Sequence, residues 1–138
     1  EQVTSGRTGH YEAVQVVYDP EQVRYEDLLK IYWRQIDPTD SGGQFADRGT
    51  QYHSAIFYQD EQQRRIAEES KNKLNEAAIF AGPVVTAVLP AKEFYPAEDY
   101  HQNYAVRNPL HYSMYKTGSG RAGFLEQTWK DREGTRFD

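Results

Sequence analysis

Cysteine is absent from the 138 residues. That excludes disulfide frameworks, thiolate zinc sites and any thiol chemistry carried by this chain itself. Excess positive charge is lacking too: 16 Lys and Arg against 21 Asp and Glu give a net charge of -5. A nucleic-acid footprint is basic and clustered, so no nucleic-acid partner is expected. No apolar run approaches the roughly 18–20 residues of a membrane span, and no membrane partner is expected either. Nor is there an initiator methionine or a signal peptide. The chain begins Glu1-Gln2-Val3-Thr4, which reads as processed or incomplete at the front.

What is present is aromatic. Eleven Tyr, 6 Phe and 2 Trp lie within a hydrophobic fraction of 38%, enough apolar surface for one core despite a mean hydropathy of -0.90. Length and composition predict one domain over 1–138, with a charged, mobile tail over 130–138.

Periodicity predicts the elements in order. Val14 and Val16 alternate with their neighbours from His10 to Tyr18, which reads as a strand ended by Asp19-Pro20. A helix is predicted from Tyr25 to Ile36, with Leu28, Leu29, Tyr32 and Ile36 on one face and Glu26 and Asp27 in its first turn. Asp37-Pro38 stops it, and Thr39 to Gly49 is a long loop of the kind that often carries function. Gln51 to Tyr58 reads as a second strand. Asp60 and Gln63 resemble a capping box opening a helix whose face holds Ile66, Ala67, Ser70, Leu74, Ala77 and Ala78.

After Gly82-Pro83, Val84 to Leu89 reads as a third strand, Glu93 to Arg107 as a turn and short helix, Pro109 to Gly120 as coil, and Gly123 to Trp129 as a last helical turn. The expected fold is therefore α/β (α+β), a two-layer sandwich with a mixed sheet covered by helices. Three strands are thin for two amphipathic helices, so part of the sheet is expected to lie outside this chain.

Few motifs for chemistry are present. Gly118-Ser119-Gly120 lacks the strand-to-helix context of a nucleotide loop, and no Gly-x-Ser-x-Gly elbow occurs. Histidines 10, 53, 101 and 111 are scattered; Glu98 and His101 offer only two ligands, so no metal is expected. The remaining candidates are polar groups at strand starts and in the long loop. Glu12 shares the parity of Val14 and Val16, so its carboxyl is expected at the rim of an apolar face, costly unless protonated, paired or used. Asp47 and Gly49 lie in the loop, and Tyr52 opens the next strand. A carboxylic acid with tyrosine hydroxyls can hold and protonate a polar oxygen. Tyr95, Tyr100, Tyr104 and Tyr112 are dense enough to wall a small apolar pocket, although tyrosines often simply pack.

Four motifs then resemble one family: Ser5-Gly6-Arg7-Thr8-Gly9-His10-Tyr11-Glu12-Ala13-Val14, Tyr18-Asp19-Pro20, Asp47-Arg48-Gly49-Thr50-Gln51-Tyr52, and Phe94-Tyr95-Pro96-Ala97-Glu98-Asp99-Tyr100-His101-Gln102. In this order and spacing, from Val3 to about Trp129, they resemble the A-type peptide methionine sulfoxide reductases. The resemblance implies a ferredoxin-like fold and reduction of the S epimer of methionine sulfoxide, free or in peptides. A cysteine thiolate would attack the sulfoxide sulfur, and thioredoxin or dithiothreitol would restore the thiol, with no prosthetic cofactor.

By the same resemblance Glu12 is the acid, Tyr52 a hydroxyl donor and Asp47 an orienting residue; Tyr104, His101 and Gly49 are placed at the substrate. The family's Gly-Cys-Phe-Trp-Gly nucleophile motif, with its first strand and helix, would precede Glu1, and one tyrosine donor would fall just before it. Thr4 stands where many members have a non-essential cysteine, and 111–121 carries no resolving cysteine. Two readings follow: the larger part of a reductase, expected in the cytoplasm, or a non-catalytic module that binds methionine sulfoxide. On either, the chain alone is expected to be inactive. If the missing strand is central in the sheet, the open edge is expected to leave the chain unstable, or to make it aggregate or pair with another chain or its missing N-terminal segment.

Overall fold

The computed structural model describes residues 2–130 and 132. Helix α1 (Tyr25–Trp33) starts where Arg24 and Asp27 close on each other, the Asp27 carboxylate accepting from the Arg24 backbone N–H and guanidinium at 3.2 to 3.3 Å. It ends three residues before the predicted Ile36. Its buried positions are Leu29 and Trp33, with Ile36 following one turn later. Trp33 is 0% exposed, and its indole N–H donates to Ser70 Oγ at 2.8 Å, which satisfies the one polar atom of that ring.

The long loop is ordered by its own pairing. Strands β1 (Gly43–Gln44) and β2 (Asp47–Arg48) run antiparallel, followed by a 3-10 turn over Thr50–Tyr52. Strand β3 (Ala55–Tyr58) then leads through Asp60 into helix α2 (Glu61–Glu76). Asp60 accepts from the Gln63 N–H at 2.8 Å, and the Gln63 side-chain oxygen takes the Gln59 N–H at 2.8 Å. That is the predicted capping pair, reaching back one residue further than a standard box. The chain returns to strand β4 (Ala87–Pro90), which pairs with β3 in parallel, Ala55 opposite Ala87 and Tyr58 opposite Pro90. Parallel neighbours need such a helical crossover. Beyond the ladder the pairing is extended by side chains: Ser54 Oγ and Thr86 Oγ1 lie 2.7 Å apart, both buried.

A 3-10 turn at Asp99–His101 and the short helices α3 (Tyr104–Arg107), α4 (Pro109–Gly118) and α5 (Arg121–Trp129) complete the order. Leu29, Trp33, Ile36, Ile56, Ala67, Leu74, Val84 and Trp129 form one core. Helix α5 is fastened to it through rings: Phe124 meets Phe45 and Phe80, Trp129 meets Phe80 edge-on, and the Arg34 guanidinium lies 4.3 Å over the Trp129 ring.

The mixed α/β class is as predicted, but several elements differ. His10 to Tyr18 is no strand. Val14 is 89% exposed and Val17 93%. Among the described residues the segment makes one backbone bond to the rest of the fold, the Glu12 N–H to the Gln51 carbonyl at 2.8 Å, and is otherwise held by side chains such as Tyr11 against Phe57 and His10 against Tyr95. Alternation marks a chain able to pair, and among the described residues no strand runs beside it. In place of one three-stranded sheet there are two two-stranded ones. Pro109 to Gly120 is mostly helix rather than coil. Proline at its first position is well suited to start it, and Leu110 and Met114 stay exposed, so no amphipathic stripe announced it. Helix α2 stops before Ala77 and Ala78, both exposed; Ala78 adopts φ +50. In the expected mobile tail, Arg132 is anchored, its guanidinium donating to the Ile79 carbonyl at 3.1 Å; 131 and 133–138 lie outside the described residues.

Candidate functional site

The site is built around a turn that only glycine permits. Gly49 has φ +126 and donates its N–H to the Gly42 carbonyl at 3.0 Å; its own carbonyl accepts the Tyr52 N–H at 3.1 Å. A Cβ on Gly49 would sit 2.5 Å from Gln51 Oε1. The same amide is flanked from the front of the chain by Gly6, at φ +72, where a Cβ would come within 3.2 Å. Gln51 is buried in this slot, and its Nε2 donates to the Thr4 carbonyl at 3.1 Å. The other side of the loop is held by a forked contact, Arg48 to both carboxylate oxygens of Asp40 at 2.5 and 2.9 Å. That fork lowers the Asp40 carboxyl below its usual range.

Three distant segments meet at this turn. The Thr4 hydroxyl donates to Glu12 Oε1 at 3.1 Å. Tyr52, from the 3-10 turn, shares hydrogen bonds with Glu12 and Thr4. Its hydroxyl is pushed above the ordinary tyrosine value by partial burial, the charges of Glu12 and Asp47, and the bond to Glu12. Tyr115, from α4, donates to Asp47 Oδ1 at 2.5 Å, and partial burial followed by that bond pushes it up to about 12. The charge of Tyr52 acts on Tyr115 as well, which places the two phenols near each other. Glu12, Tyr52, Asp47 and Tyr115 thus share one polar cluster of two carboxyls and two hydroxyls. At neutral pH both hydroxyls keep their protons, so the cluster can donate hydrogen bonds to a bound polar oxygen.

Glu12, Tyr52 and Asp47 are therefore brought together, while the other predicted site residues are engaged differently. The Tyr104 hydroxyl is bonded to His111 Nδ1, and His101 lies 3.8 Å from a Glu98 carboxylate oxygen with its ring against Tyr100. Gly49 acts on the backbone of the turn. Glu12 does not stand on an apolar face: it is exposed, as are Val14 and Val16, and its neighbours are hydroxyls. The tyrosine wall is also not formed, for Tyr95, Tyr100 and Tyr112 are exposed. A cleft of about 240 Å³ opens elsewhere, lined by Tyr11, Asp40, Ser41, His53, Ser54, Val85 and Ala87. No group of three possible metal ligands occurs among the described residues. Nor is any of their helices long and apolar enough to cross a membrane.

Sequence reasoning missed Thr4, Gln51 and Tyr115. The Gly6 turn and the buried amide between two positive-φ glycines had a faint signal in the glycine spacing. Tyr115 had none, because it arrives on a helix read as coil.

Comparison with known proteins shows the family of the chain. The sequence model of the family described as peptide methionine sulfoxide reductase matches residues 1–133. The chain is 57% identical over 129 residues to the peptide methionine sulfoxide reductase MsrA of Bacillus licheniformis, covering 94% of this chain and 71% of that protein. It is 54% identical to the MsrA of Bacillus subtilis, over 94% of this chain and 73% of the relative. Among solved structures, methionine sulfoxide reductase A of Corynebacterium diphtheriae superposes with a TM-score of 0.64 at 42% identity, covering 77% of this chain. Mxr1 from Saccharomyces cerevisiae in reduced form gives 0.67 at 34%, covering 79%. The chain spans only 55% and 59% of those two solved chains, respectively. By sequence over nearly its whole length, and by fold, this chain belongs to the peptide methionine sulfoxide reductase family of enzymes.

Proposed function

We propose that this chain supplies the acid and hydroxyl groups of a methionine-S-sulfoxide reduction, with a cysteine thiolate supplied from outside these 138 residues. The observation that carries it is the meeting of Glu12 with Tyr52 and Asp47, residues of two separate motifs, Tyr52 hydrogen-bonded to Glu12 and under the charge of Asp47, which Tyr115 holds. A sulfoxide oxygen is a poor leaving group until protonated. In this reading Tyr52 donates to the oxygen and Glu12 delivers the proton, while Asp47 keeps Tyr115 and the turn in register. The thiolate forms a bond to the sulfoxide sulfur, and the S–O bond breaks as the twice-protonated oxygen leaves as water. Water then bonds to the cysteine sulfur as the S–S bond breaks, its electron pair staying on methionine. Methionine leaves reduced by two electrons, a proton is released and the cysteine is left as a sulfenic acid. Thioredoxin or dithiothreitol returns the two electrons as thiols. Peptide-bound and free substrates both fit an open cluster such as this one. Tyr104 and His101 stay as candidates for the substrate rim, on the strength of the resemblance alone.

The test joins a Gly-Cys-Phe-Trp-Gly segment of a family member to the front of this chain and follows methionine formed from the separated sulfoxide epimers. Dithiothreitol-driven conversion of the S epimer alone, abolished by alkylating the cysteine, is expected. Conversion by the unjoined chain, or no conversion by the joined one, overturns the proposal.

A further inference from the structure

Two residues so far without a catalytic or positioning role, Thr4 and Gln51, hold Glu12 in place. Resting on the function proposed above, we infer that Gln51, acting through Thr4, is the positioning device for that acid. Gln51 is buried, and its two ends do different work. Its backbone carbonyl accepts the Glu12 N–H at 2.8 Å and pins the main chain. Its side-chain Nε2 donates to the Thr4 carbonyl at 3.1 Å and so brings Thr4 alongside. The Thr4 hydroxyl then donates to Glu12 Oε1 at 3.1 Å.

The Gln51 amide lies against Gly49 and Gly6, whose lack of a Cβ leaves the space that its Oε1 occupies. The Val3–Gly6 turn, closed by the Gly6 N–H to the Val3 carbonyl at 2.9 Å, presents the Thr4 carbonyl to Nε2. An exposed glutamate has several rotamers of similar energy, and a free one would spend little time at the reacting oxygen. Locking it from a buried amide is a supporting contact of the kind that precise catalytic geometry requires. Thr4 is exposed, so removing its hydroxyl leaves the core untouched.

Two measurements test this. In the chain as it stands, three-bond couplings of labelled Glu12 report its side-chain rotamers. The wild type is expected to hold one dominant rotamer, and both Thr4→Val and Gln51→Met are expected to average it. Thr4→Ser, which keeps a hydroxyl, recovers most of the ordering. In the joined protein the same two variants are expected to lower kcat roughly tenfold with little change in KM. The double variant should be no worse than the poorer single, since both losses run through one contact. Unchanged Glu12 couplings in Thr4→Val overturn the inference, whether or not the joined protein is active. So do multiplying kcat losses in the double variant. If instead Glu12→Gln leaves turnover intact while the couplings behave as expected, it is the proposed role of Glu12 that fails, and the clamp stands as a structural one. Should Gln51→Met not fold, the exposed Thr4 pair alone decides.

Discussion

Replacing Gly49 by alanine isolates the turn on which the cluster depends. At φ +126 and ψ 168 Gly49 occupies a region essentially closed to L side chains. Holding an alanine there costs about 1–3 kcal/mol. Its Cβ would also meet Gln51 Oε1 at 2.5 Å, a distance real contacts never show, so the amide must leave its slot. Leaving breaks the Gln51–Thr4 bond, worth about 1 kcal/mol. Alanine narrows the unfolded ensemble, offsetting roughly 0.4–1 kcal/mol of this. The net loss is about 1–3.6 kcal/mol, or about 0.5–1.8 M in urea midpoint for a slope of ~2 kcal/mol/M.

Gly9 supplies the control. It has φ +74 and nothing within 4 Å of its Cβ position, so Gly9→Ala should cost only the left-handed backbone strain of about 1–2 kcal/mol, less the same offset. Urea unfolding of the wild type and both variants, with Glu12 couplings read alongside, checks the pair. Gly49→Ala should lose stability and disorder Glu12; Gly9→Ala should do neither to the same degree. If Gly49→Ala is within 0.5 kcal/mol of wild type, about the limit for surface changes, the account of the turn is wrong.

Thr86→Val should destabilise by about 1–3 kcal/mol by leaving the buried Ser54 hydroxyl without its partner at 2.7 Å, and adding Ser54→Ala should restore most of the loss in the same urea assay. Asp60→Ala removes the acceptor for the Gln63 N–H and should cost about 1 kcal/mol, seen as a lower thermal midpoint. Tyr25, Tyr32 and Tyr115 are each raised from 10.0 to about 12. Above pH 10 the folded chain therefore keeps protons the unfolded chain has released. The stability these three contribute is complete below pH 10 and is lost as pH rises toward 12. Absorbance of ionised tyrosine should show a late phase near 12, smaller in Tyr115→Phe.

Helix starts and the core were the most legible parts of this chain. Asp60 with Gln63, the apolar spacing of Leu29 and Ile36, and Ile56 between Ser54 and Tyr58 all declare themselves through local rules. His10 to Tyr18 shows where such rules stop. Alternation reports what a segment could pair with, and pairing needs a neighbour that sequence periodicity does not supply. Pro109–Gly118 failed in the opposite direction: a helix that buries nothing leaves no stripe to read.

The cluster itself was half legible. Glu12, Asp47 and Tyr52 lie in motifs, and the fold brings them near one another, Tyr52 bonded to Glu12 and within reach of the Asp47 charge. Thr4, Gln51 and Tyr115 gain their places only from contacts between segments 47 to 68 residues apart in the chain. The apolar surroundings foreseen for Glu12 are replaced by the hydroxyls of Thr4 and Tyr52.

Single-turnover reduction of a methionine-S-sulfoxide peptide by the joined, thiol-bearing protein, with and without Glu12→Gln, addresses the central claim most directly. If Glu12 is the proton donor, the variant should bind the peptide with an unaltered Kd and form methionine about 100- to 10,000-fold more slowly. A Glu12→Gln protein that reduces the sulfoxide at the wild-type rate would contradict the account.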